Sequence, residues 1–123
     1  MFQHIGITIN DISEIKNFYI GVLGLEIKSK FTLQSFISET IFKIKKDVDV
    51  TLVGTNNFSL ELFLDNVKNE HNFQHICIIF KDRKQVLKNA QNSNYSCTVI
   101  KREPFDIVFI KDHSNNLFEI KQG

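Results

Sequence analysis

The chain has 123 residues, enough for one domain with its own hydrophobic core and too few for two of ordinary size. Its formal net charge is only +1, which excludes an overall field that would attract nucleic acid or an anionic membrane. The longest apolar run, 76–80, is too short to span a bilayer, and the start of the chain lacks the layout of a secretion signal. We therefore expect a cytoplasmic protein, in which Cys77 and Cys97 are free thiols.

The first half of the chain begins with a predicted strand and helix. Apolar and other residues alternate from His4 to Ile9, as in a half-buried strand. Helical spacing follows, with Asp11 as the N-cap, Glu14 as the second part of a capping box and Gly24 as the stop. The rest of this half is predicted to form strands at 25–33, 48–53 and 58–64 and a short amphipathic helix at 35–44.

The second half follows a similar order. A strand at 73–81 leads to a helix that starts at Asp82 and ends near Gln91. Pro104 and the polar run 112–116 indicate turns between the later strands. Those strands are predicted at 95–101, 105–111 and 117–121.

The two halves are an internal repeat. The pattern His-Ile-x-Ile occurs at His4 and again at His75, 71 residues later, whereas Glu61 and Glu119 match at an offset of 58. The first half therefore holds 13 extra residues, most of them in the helix predicted at 35–44. Each half is predicted to be a βαβββ module, with a histidine on its first strand and a glutamate on its last. Module one covers about 1–66 and module two about 73–123 of a single domain.

The repeated histidines and glutamates share a predicted sheet face. In each strand the apolar residues should pack under the helices, which leaves His4, Glu61, His75 and Glu119 on the opposite face. A buried glutamate is costly unless it is paired or bound to metal. If the two sheets curve into a common cup, the four side chains converge there. Each residue alone would be an ordinary surface residue, but their repeat-related positions favour a joint metal site.

The sequence resembles the vicinal oxygen chelate superfamily, which includes glyoxalase I, methylmalonyl-CoA epimerase, ring-cleaving dioxygenases and bleomycin- and fosfomycin-resistance proteins. The segments that carry the resemblance are HIGITINDISEIKNFYIGVLGLEI, LELFLD, FQHICIIFKD and KDHSNNLFEI. The resemblance implies an α+β fold in which paired βαβββ modules form a curved mixed sheet around a metal cup, commonly in a homodimer. The positions that match the family's metal ligands are His4, Glu61, His75 and Glu119, as in short bacterial glyoxalase I enzymes.

Other positions depart from the family pattern. Relatives usually have Asp-Pro-x-Gly before the last strand, where this chain has Asp-His-Ser-Asn at 112–115. Asn115 tolerates a left-handed conformation, so we expect the turn to survive with His113 as a turn residue rather than a ligand. His71 falls in the polar connection between modules. The only two arginines, Arg83 and Arg102, do not match a glutathione-binding set, which leaves the thiol open.

The ligand set favours proton transfer. Four protein ligands on an octahedral ion leave two positions open, which a bidentate substrate could fill. An oxygen-activating iron site normally has only two histidines and one carboxylate, so the fourth ligand disfavours a dioxygenase. The ion would act as a Lewis acid while a glutamate moves a proton beside a carbonyl. We expect Glu119 to be this base and Glu61 its counterpart on the other side of the metal. The residue pattern favours the two assignments almost equally. The resemblance implies nickel or cobalt, with zinc possible.

Our first hypothesis is a glyoxalase I-type lyase (lactoylglutathione lyase), which converts the hemithioacetal of an α-oxoaldehyde such as methylglyoxal into a 2-hydroxyacyl thioester. An acyl-CoA epimerase uses the same chemistry, although epimerases usually carry Gln at the position of Glu61. A third hypothesis is a non-catalytic small-molecule binding protein of the resistance type.

Further expectations concern the cup. We expect Phe63 to line it and Cys77 to be a small buried hydrophobe on the His75 face, with Phe18 and Tyr19 in the core. Residue types leave open whether the site lies within one chain or across a dimer.

Overall fold

The computed structural model, which describes residues 1–123, contains two four-stranded mixed sheets. The strand orders are β1-β4-β3-β2 and β5-β8-β7-β6. In each sheet the first and last strands of the module pair in parallel and the other neighbours are antiparallel. The identical orders confirm the α+β fold of two βαβββ modules. The strands are β1 (His4–Ile9), β2 (Glu26–Leu33), β3 (Val48–Gly54), β4 (Ser59–Leu64), β5 (Ile76–Phe80), β6 (Ser96–Ile100), β7 (Ile107–Lys111) and β8 (Leu117–Gln122).

The helix after β1 is a π-helix, Ile15–Ile20. The N-cap residue is Glu14, which makes no side-chain cap hydrogen bond, so the prediction of Asp11 as the N-cap is wrong. The Asp11 carboxylate accepts hydrogen bonds from the backbone N–H and the hydroxyl of Ser13 in the turn before the helix. Gly24 ends the segment at φ +69°, a left-handed conformation that costs glycine little. The predicted capping box is wrong. Glu14 is buried and contacts module two instead.

Two α-helices complete the fold. Helix α1 (Ser35–Phe42) confirms the predicted insertion in module one and ends at Lys43, which has φ 64°. The backbone N–H of Ser35, the first residue of this helix, donates a hydrogen bond to the Asp47 carboxylate. Helix α2 (Arg83–Asn92) begins behind Asp82, whose carboxylate accepts from the Gln85 N–H as an N-cap. None of the helices has the length and apolar character needed to cross a membrane.

A single hydrophobic core of 18 buried residues joins the two modules. The Phe18 ring lies 4.8 Å from the Tyr95 ring and 5.5 Å from the Phe118 ring. The π-helix of module one therefore packs directly against module two. Phe18 and Tyr19 are fully buried, as predicted. Because both sheets bury their apolar faces in this shared core, their opposite faces point away from it.

Two buried hydrogen bonds also connect the modules, and each joins a tyrosine of one to a carboxylate of the other. The Tyr19 hydroxyl donates to Asp112 at 2.6 Å, and the Tyr95 hydroxyl donates to Glu14 at 2.5 Å. Burial raises the pKa of Asp112, and burial together with the Asp112 charge raises the pKa of Tyr19 well above its usual value. Each of these buried groups therefore has a hydrogen-bond partner in the other module.

We predict that Tyr19→Phe lowers the free energy of unfolding by about 1–3 kcal/mol, because the buried Asp112 carboxylate loses a hydrogen-bond donor. Urea denaturation at neutral pH and fixed protein concentration measures the change. Asn56→Ala in an exposed turn is the control and should change stability by less than about 0.5 kcal/mol. A Tyr19→Phe variant as stable as the parent would contradict the role given to this contact.

Candidate metal centre

The first pair of predicted ligands meets across β1 and β4. These strands run parallel, with His4 opposite Ser59 and Gly6 opposite Glu61. Glu61 therefore lies two residues beyond the partner of His4 and on the same face. The His4 Nε2 atom is 2.9 Å from Glu61 Oε1, and both side chains are partly exposed.

The second pair reproduces this geometry in module two. Cys77 lies opposite Glu119 in the parallel pairing of β5 and β8, which places His75 just before the start of β5. The His75 Nε2 atom is 3.5 Å from Glu119 Oε1. The Phe109 ring flanks the His75 imidazole at a centroid distance of 5.6 Å. The internal repeat thus builds the same histidine–glutamate pair twice.

The tautomer of His75 suits a metal ligand. Its Nδ1 atom lies 2.9 Å from the Phe73 carbonyl oxygen, which can only accept a hydrogen bond. A neutral His75 that donates from Nδ1 turns the lone pair of Nε2 toward the Glu119 carboxylate. A metal ion bound between the two side chains would accept that lone pair. Metal-binding histidines commonly donate their other ring N–H to a carbonyl in this way.

The spacing within each pair is also close to that between neighbouring ligands of one ion. With metal–ligand bonds of about 2.1 Å, adjacent ligands lie about 3.0 Å apart on an octahedral ion and about 3.4 Å apart on a tetrahedral one. The two nitrogen–oxygen separations, 2.9 Å and 3.5 Å, lie just outside the two ends of this range. Imidazole and carboxylate together are ligands that suit divalent transition metals.

The four predicted ligands form two pairs rather than one cluster. No group of three or more His, Cys, Asp or Glu side chains in the chain is placed to hold a metal ion together. The reason is the packing of the modules. Their apolar faces share one core, so the faces that carry the pairs point outward. One chain therefore carries two separate histidine–glutamate pairs, which we call half-sites.

A cleft of about 460 Å³ lies beside the first pair. It is lined by His4 and Glu61 on the sheet and by Phe42 and Ile44 at the end of α1. Phe63 also lines it, as predicted, and its ring is 5.4 Å from that of Phe42. The α1 insertion thus forms an apolar wall next to one half-site.

The remaining candidates have other roles. His113 stacks on Tyr95 and its backbone N–H donates to Glu14, and Asn115 has φ 66°, so the turn forms as predicted. His71 lies exposed in the connection. Both cysteines are free, but Cys77 is exposed, so the expectation of a small buried hydrophobe is wrong. Local loss of hydration, followed by the Glu119 charge, raises the pKa of its thiol.

Duplicated βαβββ modules with matched histidine–glutamate pairs define the class of protein. The chain belongs to the Glyoxalase/Bleomycin resistance protein/Dioxygenase superfamily, whose family model matches residues 1–120. The family and fold predicted from the sequence are therefore confirmed. The comparison with curated proteins returned no match.

Solved structures with the same fold include fosfomycin-resistance proteins. FosX from Mesorhizobium loti is 13% identical with a TM-score of 0.71, over 98% of this chain and 89% of that one. FosX from Listeria monocytogenes (hexagonal form) is 13% identical with a TM-score of 0.73, over 98% and 90%. Its E126Q mutant, complexed with Mn(II) and 1S,2S-dihydroxypropylphosphonic acid, is 12% identical with the same TM-score and coverage. At these identities the likeness concerns the fold.

We predict that His75→Ala weakens binding of a divalent ion on the order of 100-fold, because it removes a ligand rather than an outer-shell partner. Titration calorimetry with Ni²⁺ measures the affinity. His71→Ala, on the exposed connection, is the matched control and should bind like the parent. Equal losses in the two variants would contradict the assignment of His75.

Proposed function

We propose that the protein is a metal-dependent enzyme whose site is completed by two copies of the chain. The observation that carries this proposal is the pair of outward-facing half-sites, which have matching ligands and spacing. In a twofold dimer, His4 and Glu61 of one chain face His75 and Glu119 of the other, so the dimer contains two equivalent sites.

Exposed apolar side chains around the first half-site support such a partner. Phe31 on β2 is 44% exposed, and Phe36 and Ile41 on α1 are 65% and 61% exposed. Several large apolar side chains exposed on two neighbouring elements are typical of a surface that binds a partner. A second copy that covers β2 and α1 would bury these residues and close the cleft beside His4.

The two histidines and two glutamates would hold a divalent ion, which would act as a Lewis acid toward the substrate. Glu119 accepts the proton from the carbon beside the carbonyl and returns it to the neighbouring carbon. Glu61 lies on the opposite side of the completed site. Phe63 and Ile44 exclude water from the reacting atoms. Nickel or cobalt is our first choice of ion, with zinc and manganese as alternatives.

The reaction we propose is of the glyoxalase I type, from the hemithioacetal of an α-oxoaldehyde to a 2-hydroxyacyl thioester. The thiol need not be glutathione. Arg83 binds the Asp106 carbonyl and Arg102 binds the Phe105 carbonyl, so both arginines are engaged away from the half-sites. An acyl-CoA epimerase remains a related candidate, separable by solvent-deuterium exchange into each substrate.

A second candidate is a resistance protein that acts on or retains a phosphonate. The fold matches to FosX, one with Mn(II) and a dihydroxypropylphosphonic acid, favour it. Incubation of metal-loaded protein with fosfomycin, followed by phosphorus NMR, separates the two candidates. Conversion of fosfomycin without turnover of hemithioacetals would favour the resistance enzyme. Protein that stays metal-free after nickel, cobalt, zinc and manganese are offered would favour a non-catalytic binding protein.

We predict that Glu119→Gln lowers turnover of hemithioacetals about 10²–10⁴-fold, because glutamine cannot take up the proton. The assay uses protein of measured metal content with methylglyoxal and several low-molecular-weight thiols. Glu103→Gln in an exposed loop is the control and should keep full activity. An active, metal-loaded Glu119→Gln variant would exclude Glu119 as the base, and the same test of Glu61→Gln would then identify its counterpart.

A further inference from the structure

The two half-sites share their ligands but differ in the residues beside them. The repeat places Gly6 and Cys77 at equivalent positions on the first strands of the modules. It places Phe63 and Lys121 at equivalent positions on the last strands, each two residues after the ligand glutamate. At this pair of equivalent positions on the last strands, module one therefore has an aromatic ring and module two has a cationic side chain.

One wall beside the first pair is apolar because of a glycine. A Cβ atom built on Gly6 would lie only 3.0 Å from Cε2 of Phe63, closer than most such contacts in proteins. Glycine thus lets the Phe63 ring lie over β1 next to His4. Phe42 packs edge to face against the same ring. This side of the site presents a wall that suits an apolar group.

A cationic side chain lies beside the glutamate of the second pair, whereas the Phe109 ring lies beside its histidine. The Nζ atom of Lys121 is 3.8 Å from Glu119 Oε2, at the outer limit of an ion pair, and 59% of the side chain is exposed. Its ammonium group donates no hydrogen bond within the chain, so its donors are free for a ligand. Module two thus has the positive charge of Lys121 at the position equivalent to Phe63 of module one.

We infer that the completed site recognises a substrate with two different ends, an apolar group against Phe63 and an anionic group, carboxylate or phosphonate, on Lys121. The inference rests on the proposed pairing of half-sites from two chains. The ligand set alone is nearly symmetric, with one histidine and one glutamate from each side, and cannot fix the direction of a bound substrate. The different neighbours orient it, with the anionic end on the side of Glu119.

Hydroxamates provide a direct test because they chelate a divalent ion through two oxygens and can carry either kind of end. The probes are acetohydroxamate, benzohydroxamate and succinic monohydroxamate, titrated into nickel-loaded protein of measured metal content. We expect Lys121→Met to weaken the succinic probe about fivefold to tenfold. Phe63→Ala should weaken the benzo probe about tenfold. Acetohydroxamate should change by less than about twofold in both, and Lys88→Met on α2 is the control for a lost charge.

The outcomes separate this inference from the proposed function. Normal metal loading with no selective loss in Lys121→Met or Phe63→Ala overturns the inference alone. Equal weakening of all three probes by Lys121→Met also overturns it, because the lysine would then act through Glu119 or the ion. Failure of the parent protein to take up metal overturns the proposed function, and this inference with it.

Discussion

The turn at 112–116 is the contact on which the arrangement of the two modules depends. Within it, Asp112 accepts from the Tyr19 hydroxyl and from the N–H groups of Ser114 and Asn116. The Ser114 hydroxyl accepts from the Asn10 N–H just after β1. Because these groups are buried, a shifted packing would leave polar atoms without partners, at a cost of about 1–3 kcal/mol each. The turn therefore holds the modules in one arrangement.

That arrangement explains why the ligands occur as two half-sites. The π-helix and the apolar sheet faces fill the shared core, so the polar faces can only point outward. The His4–Glu61 and His75–Glu119 pairs then form no common cluster within the chain. Under the proposed function, a second copy completes each pair, and the unlike neighbours Phe63 and Lys121 would give each completed site a direction.

Much of the fold could be predicted because its signals are local. Strand alternation, the glycine stop at Gly24 and the cap at Asp82 each depend on a few neighbouring residues. The internal repeat relates the histidines and glutamates of the two halves, so both histidine–glutamate pairs could be predicted from the sequence. In each pair the parallel register of first and last strands brings the two side chains together.

Other features depend on contacts far apart in the chain. Glu14 follows Asp11 at the spacing of a capping box, but Tyr95 and the His113 N–H bind it in the core. Cys77 sits in an apolar run, yet its face of β5 is exposed, because the packing of the modules turns that face outward. The same packing decides that the four ligands do not meet within one chain. No local pattern encodes it.

The sharing of each site between two chains is tested most directly by mixed dimers of His4→Ala and His75→Ala. The two variants are co-expressed with different affinity tags, and the mixed dimer is purified and analysed for bound metal. If the half-sites combine across chains, one site of the mixed dimer has all four ligands. We then predict that the mixed dimer holds about half of the parent's metal, at a metal concentration where each variant alone, with its affinity lowered on the order of 100-fold, stays nearly empty. A mixed dimer as empty as the single variants would contradict a site shared between chains.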